Sequence, residues 1–290
     1  MPCLGQGVSF DFQFAYLVYN NLGGQGPDQG QIPPTMRFAN VGVVFHPVSG
    51  PIHFDIDLST TTSYTPDNVL DNGFANNKFA QVNLACGHSV GLRATLKRSC
   101  ATASSCLICD DVSRSTASRI ECYASGCACV GSTVYAPAAC SGNALIATRA
   151  SYSCTRMDEV LVLPRSSPAS MTVFDLDTSS DGTYVEQVTV PSYEYFKTPL
   201  RAASGNEVAT SVFVNTISRT FTGTAPHTTS PVDPLSLTDE EAGRGVQLFF
   251  WPQNGYIEAT FSVSYSGTGS CTGRNLMFAG DSGLCAPPPP

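Results

Sequence analysis

Val90-Gly91-Leu92-Arg93-Ala94-Thr95-Leu96-Lys97 places an apolar or small residue at every second position and a polar or glycine residue between. Ile257-Glu258-Ala259-Thr260-Phe261-Ser262-Val263 does the same, and so does Val8-Ser9-Phe10-Asp11-Phe12-Gln13-Phe14. Successive side chains of an extended chain point to opposite faces, so each run is read as a strand with one apolar face. Further strands are expected at 41–46, 52–58, 79–85, 160–164, 170–176, 184–190, 208–217 and 246–251. Turn-rich pieces such as Gly23-Gly24-Gln25-Gly26-Pro27 and Ser180-Asp181-Gly182 separate them. Many short strands with polar turns predict an all-β fold, an antiparallel β-sandwich or jelly roll. One short helix is expected after Thr238, because Asp239, Glu240 and Glu241 complete a capping box with acids in the first turn.

The composition narrows the class. The chain has 290 residues, of which 42% are hydrophobic, enough for a full core. Only 13% are charged, and 15 basic residues against 23 acidic ones leave a net charge of -8. Such a chain is a poor partner for phosphate backbones, so nucleic-acid binding is not expected. No run approaches the roughly 18 apolar residues of a membrane span. Cysteine is the unusual count, at 12. Cys3, Cys86, Cys100, Cys106, Cys109, Cys122, Cys127, Cys129, Cys140, Cys154, Cys271 and Cys285 are all expected in disulfides, which places the protein outside the cell.

The cysteines are not spread evenly. Nine fall between 86 and 154, among Ala, Ser and Thr. Residues 98–156 therefore read as a disulfide-rich insert that lacks the apolar surface to hold one shape alone. Zinc is the weaker alternative: Cys106 and Cys109 have no second pair at ribbon spacing, and the insert contains no histidine. Cys271–Cys285 is the natural pairing at the C-terminal end. Residues 1–285 are read as one domain, and the run Ala286-Pro287-Pro288-Pro289-Pro290 as the start of a proline-rich, polyproline II stalk.

Three constellations could carry chemistry. Asp175, Asp177, Asp181 and Glu186 offer hard oxygen ligands suited to a structural calcium ion. The turn is not an EF-hand loop, since its glycine falls too late. The pattern Phe174-Asp175-Leu176-Asp177 also occurs as Phe54-Asp55-Ile56-Asp57. Tyr193, Tyr195 and Trp251 are candidates for stacking on sugar rings. Gly280-Asp281-Ser282-Gly283 resembles a serine-protease nucleophile loop, but His46, His53, His88 and His227 all lack the matching context, and a turn is the better reading. No catalytic pair stands out, so an enzyme is not expected.

Several pieces taken in order carry a resemblance: Tyr64-Thr65-Pro66, Phe79-Ala80-Gln81-Val82-Asn83-Leu84, the Phe174–Asp177 motif, the strand 184–190, Leu237-Thr238-Asp239-Glu240-Glu241 and Gly273-Arg274-Asn275-Leu276-Met277-Phe278-Ala279-Gly280. They resemble an extracellular β-sandwich module of large microbial and algal surface proteins. The match covers roughly 50–97 and 165–283 and leaves the cysteine insert outside. With its proline ending, the chain further resembles the globular heads of algal hydroxyproline-rich glycoproteins, the pherophorin-like and mastigoneme-like class. The resemblance implies a non-enzymatic structural or adhesive module of a wall, matrix or filament, partnered by other subunits or by itself. A calcium-dependent, lectin-like module that binds glycans is the alternative.

Overall fold

The computed structural model describes residues 8–13, 15–46, 50–99, 106–110, 119–123, 145–149, 160–163, 169–226, 229–251, 254–268 and 271–280. In chain order the strands are β1 (Val8–Ser9), β2 (Tyr16–Asn20), β3 (Met36–His46), β4 (Gly50–Thr60), β5 (Gly73–Ala75), β6 (Phe79–Leu84), β7 (Ser89–Arg98), β8 (Cys106–Asp110), β9 (Arg119–Tyr123), β10 (Leu145–Arg149) and β11 (Ala169–Phe174). They continue as β12 (Tyr184–Thr189), β13 (Tyr195–Lys197), β14 (Val212–Asn215), β15 (Thr220–Gly223), β16 (Val246–Phe250), β17 (Tyr256–Tyr265) and β18 (Arg274–Ala279), with α1 (Asp239–Gly243) before β16.

Two sheets make the sandwich. One runs β14-β15-β12-β17-β7-β4-β3-β2 and the other β13-β16-β11-β18-β6-β5. All pairings are antiparallel except that of β1, which adds parallel to β11. The two runs whose alternation is clearest pair with each other: Ile257 lies opposite Ala94, Ala259 opposite Leu92 and Phe261 opposite Val90. All six are buried. From the facing sheet come Met171, Val173, Leu276 and Phe278, and together with Leu58, Leu92, Ala94 and Val188 they close around a void of only about 20 Å³. Each such buried Val, Leu, Met or Phe side chain stabilises the fold by roughly 1.5–3 kcal/mol. Edge-to-face ring pairs such as Phe10–Phe54 (5.9 Å), Phe12–Phe278 (5.8 Å) and Phe196–Phe221 (5.3 Å) knit the layers.

The helix after Thr238 forms as expected. The Thr238 hydroxyl accepts from the Glu241 amide at 3.3 Å, and the Glu241 carboxylate accepts from the Thr238 amide at 2.8 Å. The expected first strand is shorter than its pattern. Among the described residues only Val8 and Ser9 pair as a strand, yet Phe10 and Phe12 are buried, so alternation here records burial without a full ladder. Of the expected strand 160–164, the described residues 160–163 show a single bridge, between Val160 and Lys97. That bridge and the Leu161 amide on the Leu96 carbonyl (2.9 Å) bring the chain's return point beside its exit from β7. Between these two points in the chain, β8 lies between β10 and β9 in a small antiparallel sheet.

Cys86 is bonded to Cys271, with Cα atoms 6.0 Å apart. This corrects the pairing Cys271–Cys285. Cys86 sits on the crossing from β6 to β7 and Cys271 on the crossing from β17 to β18, so the bond ties together two connections that pass from sheet to sheet. Of Cys106, Cys109 and Cys122 only the strand backbones are described. Cys3, Cys100, Cys127, Cys129, Cys140, Cys154, Cys285 and the proline run 286–290 lie outside the described residues. Among the described residues no helix is long and apolar enough to cross a membrane.

Candidate functional site

Strand parity explains where the acids go. On β12, Val188 faces the core, so Glu186, two residues earlier, faces inward as well. On β18, Leu276 faces the core, so Arg274 also points inward, from the opposite sheet. The two meet across the open end of the sandwich. Arg274 Nε lies 2.8 Å from Glu186 Oε1, and Nη2 lies 3.0 Å from both oxygens of Asp177. Asp177 is fully buried and Glu186 nearly so. Backbone bonds lock the pair: the Glu186 amide donates to the Asp177 carbonyl at 2.9 Å, and the Asp177 amide donates to Glu186 Oε2 at 3.3 Å.

Asp175 belongs to the same cluster but has its own cation. Its backbone takes φ 60°, in the left-handed region, where the chain leaves β11. Its Oδ1 stands 3.0 Å from Arg244 Nη1 without accepting a hydrogen bond. Arg244 is 1% exposed and also donates from Nη2 to the Thr229 carbonyl at 2.9 Å. Asp175, Glu186 and Arg274 together line a cavity of about 300 Å³. Burial pushes the Glu186 carboxyl up to about 8, with the Arg274 guanidinium working in the other direction.

Asp181 stands apart. It is exposed on the turn before β12, where Oδ1 accepts from the Thr183 amide (3.1 Å) and hydroxyl (2.8 Å). Hydrogen bonds from Ser179 and Thr183 lower its carboxyl to about 2. The expected calcium set is thus divided: Asp175, Asp177 and Glu186 meet around guanidiniums, and Asp181 does not join them. Among the described residues no group of three or more His, Cys, Asp or Glu side chains is placed to hold a metal ion.

The upstream copy of the motif repeats the solution. Phe54 and Ile56 are buried in the core, while Arg37 Nη2 lies 3.0 Å from Asp55 Oδ2 and Nε lies 3.7 Å from Asp57 Oδ1. Asp55 Oδ1 also accepts from the Asn40 amide at 3.0 Å. Each Phe-Asp-aliphatic-Asp therefore buries its apolar pair and neutralises its acids with arginine.

The aromatic candidates each have their own ring neighbours or burial. Tyr193 packs edge-on against Phe196 (5.7 Å), near Phe221 (5.6 Å), with the Arg219 guanidinium 5.1 Å from its ring. Tyr195 stacks on Phe249 at 4.3 Å and 16°. Trp251 is half-buried directly after β16. In the glycine-serine motif, Gly280 lies against the Phe10 backbone, its amide donating to the Phe10 carbonyl at 2.7 Å. Asp281 and Ser282 lie outside the described residues. Sequence reasoning missed Arg37, Arg244 and Arg274, although the inward parity of Arg274 beside Leu276 was a usable signal. Compared with protein-family models, curated proteins and solved structures, the chain matches none of them.

Proposed function

We propose that this chain is a non-enzymatic module of an extracellular wall, matrix or filament, whose role is structural and adhesive. The Cys86–Cys271 bond carries the reading. A cross-link that ties two sheet crossings persists in an oxidising compartment and not in a reducing cytosol. The buried acids support it, because their counter-charges are already supplied by arginines of the same chain. Partners would be other matrix subunits or further copies. β14 is an edge strand that presents Phe213 at 60% exposure and, just beyond it, Ile217 at 96%. An exposed apolar edge is a template for strand addition.

Sedimentation velocity on the oxidised, secreted protein tests this reading. Reversible association that weakens in a Phe213→Lys variant supports it. Turnover of a glycoside, ester or peptide by the same preparation would overturn it.

A further inference from the structure

The cavity beside Asp175 and Arg274 has a hydrogen-bonding inventory that can be worked out atom by atom. Asn83 Oδ1 accepts from the backbone amides of Asp67 (2.9 Å) and Asn68 (2.8 Å). Its Nδ2 must therefore be the donor to Asn275 Oδ1 at 2.8 Å, which leaves Asn275 Nδ2 as that residue's unspent group. Asn76 Nδ2 donates to the Pro231 carbonyl at 3.2 Å, leaving Oδ1. Gln81 Nε2 donates to the Asp71 carbonyl at 2.6 Å, leaving Oε1. Backbone groups thus fix the orientation of all three amides. Asn76, Gln81 and Asn275 line the cavity with Ser230, Asp175 and Arg274. Asp175 is more than nine-tenths buried, and its Oδ1 is sealed against Arg244 Nη1 at 3.0 Å.

Charge selects the ligand class. Arg274 is committed to Asp177 and Glu186, and Arg244 faces Asp175. An anion would compete with carboxylates already in place, and a cation would meet Arg274. What remains is a mixed set of amide donors and acceptors and the Ser230 hydroxyl. A group that both donates and accepts matches such a set. The cavity, at about 300 Å³, falls at the small end of the roughly 300–1,000 Å³ of small-molecule sites. Thr272, next in the chain to the cavity-lining Gly273, lines a second groove of about 580 Å³, with Tyr184 and Tyr265 among its walls. The Arg274 guanidinium, on the wall of the first cavity, lies 4.3 Å over the Tyr184 ring of the second.

We propose that this cavity binds one neutral sugar residue of an extracellular glycan, without a metal ion, and that the tyrosine groove takes the next residue. The amide groups and the Ser230 hydroxyl bond the hydroxyls of the first ring, and the tyrosine rings pack on the second. The inference rests on the adhesive reading and names its ligand.

Saturation-transfer NMR on the whole oxidised chain tests it. The probes are the methyl glycosides of glucose, galactose, mannose and arabinose, each with EDTA present. At least one glycoside should show transfer. In Gln81→Ala and Asn76→Gly its affinity should fall about tenfold, with the melting temperature little changed. Asn76 has φ 52°, so glycine preserves that turn. Absence of transfer from all four glycosides, undiminished binding in both variants, or binding only with added calcium would overturn the proposal. If the protein still self-associates, only the sugar site fails. Cleavage of a bound glycoside would instead overturn the non-enzymatic reading.

Discussion

Arg274 reaches Asp177 through a single nitrogen, with Nη2 3.0 Å from each carboxylate oxygen, and this leaves Nε free to bind Glu186 at 2.8 Å. One guanidinium thus bridges two buried acids. Arg274→Met should destabilise the protein by about 3–5 kcal/mol, because a buried charge loses its partner. Arg274→Lys keeps the charge but not the fork, and should recover only part of that loss. Guanidinium chloride unfolding of both variants measures it. Equal stability of the methionine variant and the parent would show that the network contributes nothing.

Calcium offers a separate test of the same cluster. Arginines balance Asp175, Asp177 and Glu186, so excess EDTA should leave the melting temperature unchanged. A fall on chelation, reversed by calcium, would return a cation to these acids.

The pH dependence follows from Glu186. Its carboxyl rises from 4.5 to about 8, chiefly by burial. The charged groups around it are Arg274, Asp175, Asp177 and Arg244. The folded state holds this proton more tightly than the unfolded chain does. The associated stability is therefore complete below about pH 4.5 and is lost as pH rises through about 8. Glu186→Gln fixes the neutral form. From pH 5 to pH 8.5 the parent should lose on the order of a few kcal/mol relative to the variant. Parallel unfolding curves for the two proteins across that range would contradict it.

These charges also show what the sequence could and could not reveal. The acids were legible because Phe-Asp-aliphatic-Asp fixes side-chain parity over four residues. Their partners were not, since Arg274 is 97 residues from Asp177. Pairing at that distance depends on sheet order, which local alternation does not encode. Long two-sided runs such as β7 and β17 read clearly, as did the Thr238 capping box. Short strands such as Thr220–Gly223 and Tyr195–Lys197 did not, having too few alternations to show a period. The Cys86–Cys271 pairing was hidden for the same reason as the arginines: the two sheet crossings meet only after folding.

That bond closes a span of 185 residues. Restricting so long a loop in the unfolded chain stabilises the native state, and replacing both cysteines with serine should cost about 2–5 kcal/mol. Intact mass after alkylation should detect no free thiol at Cys86 or Cys271 in the parent. A double variant as stable as the parent would mean that packing alone holds the two crossings together.

Gly280 is required by contact and not by chemistry. A β-carbon there would fall 1.9 Å from the Phe10 amide nitrogen and 2.5 Å from its Cα. Backbone cannot swing aside as a long side chain can, so Gly280→Ala must push the Phe10 segment away from β18. Phe10 and Phe12 are both buried, and Phe12 packs on Phe278 at 5.8 Å, so the displacement reaches the core. The expected loss is about 1–3 kcal/mol, with faster proteolysis near residue 10. Gly30 is the control, because nothing lies within 4 Å of a β-carbon placed there. Gly30→Ala should change stability by less than about 0.5 kcal/mol. If Gly280→Ala behaves like the control, the close approach of Phe10 is not what fixes glycine at this position.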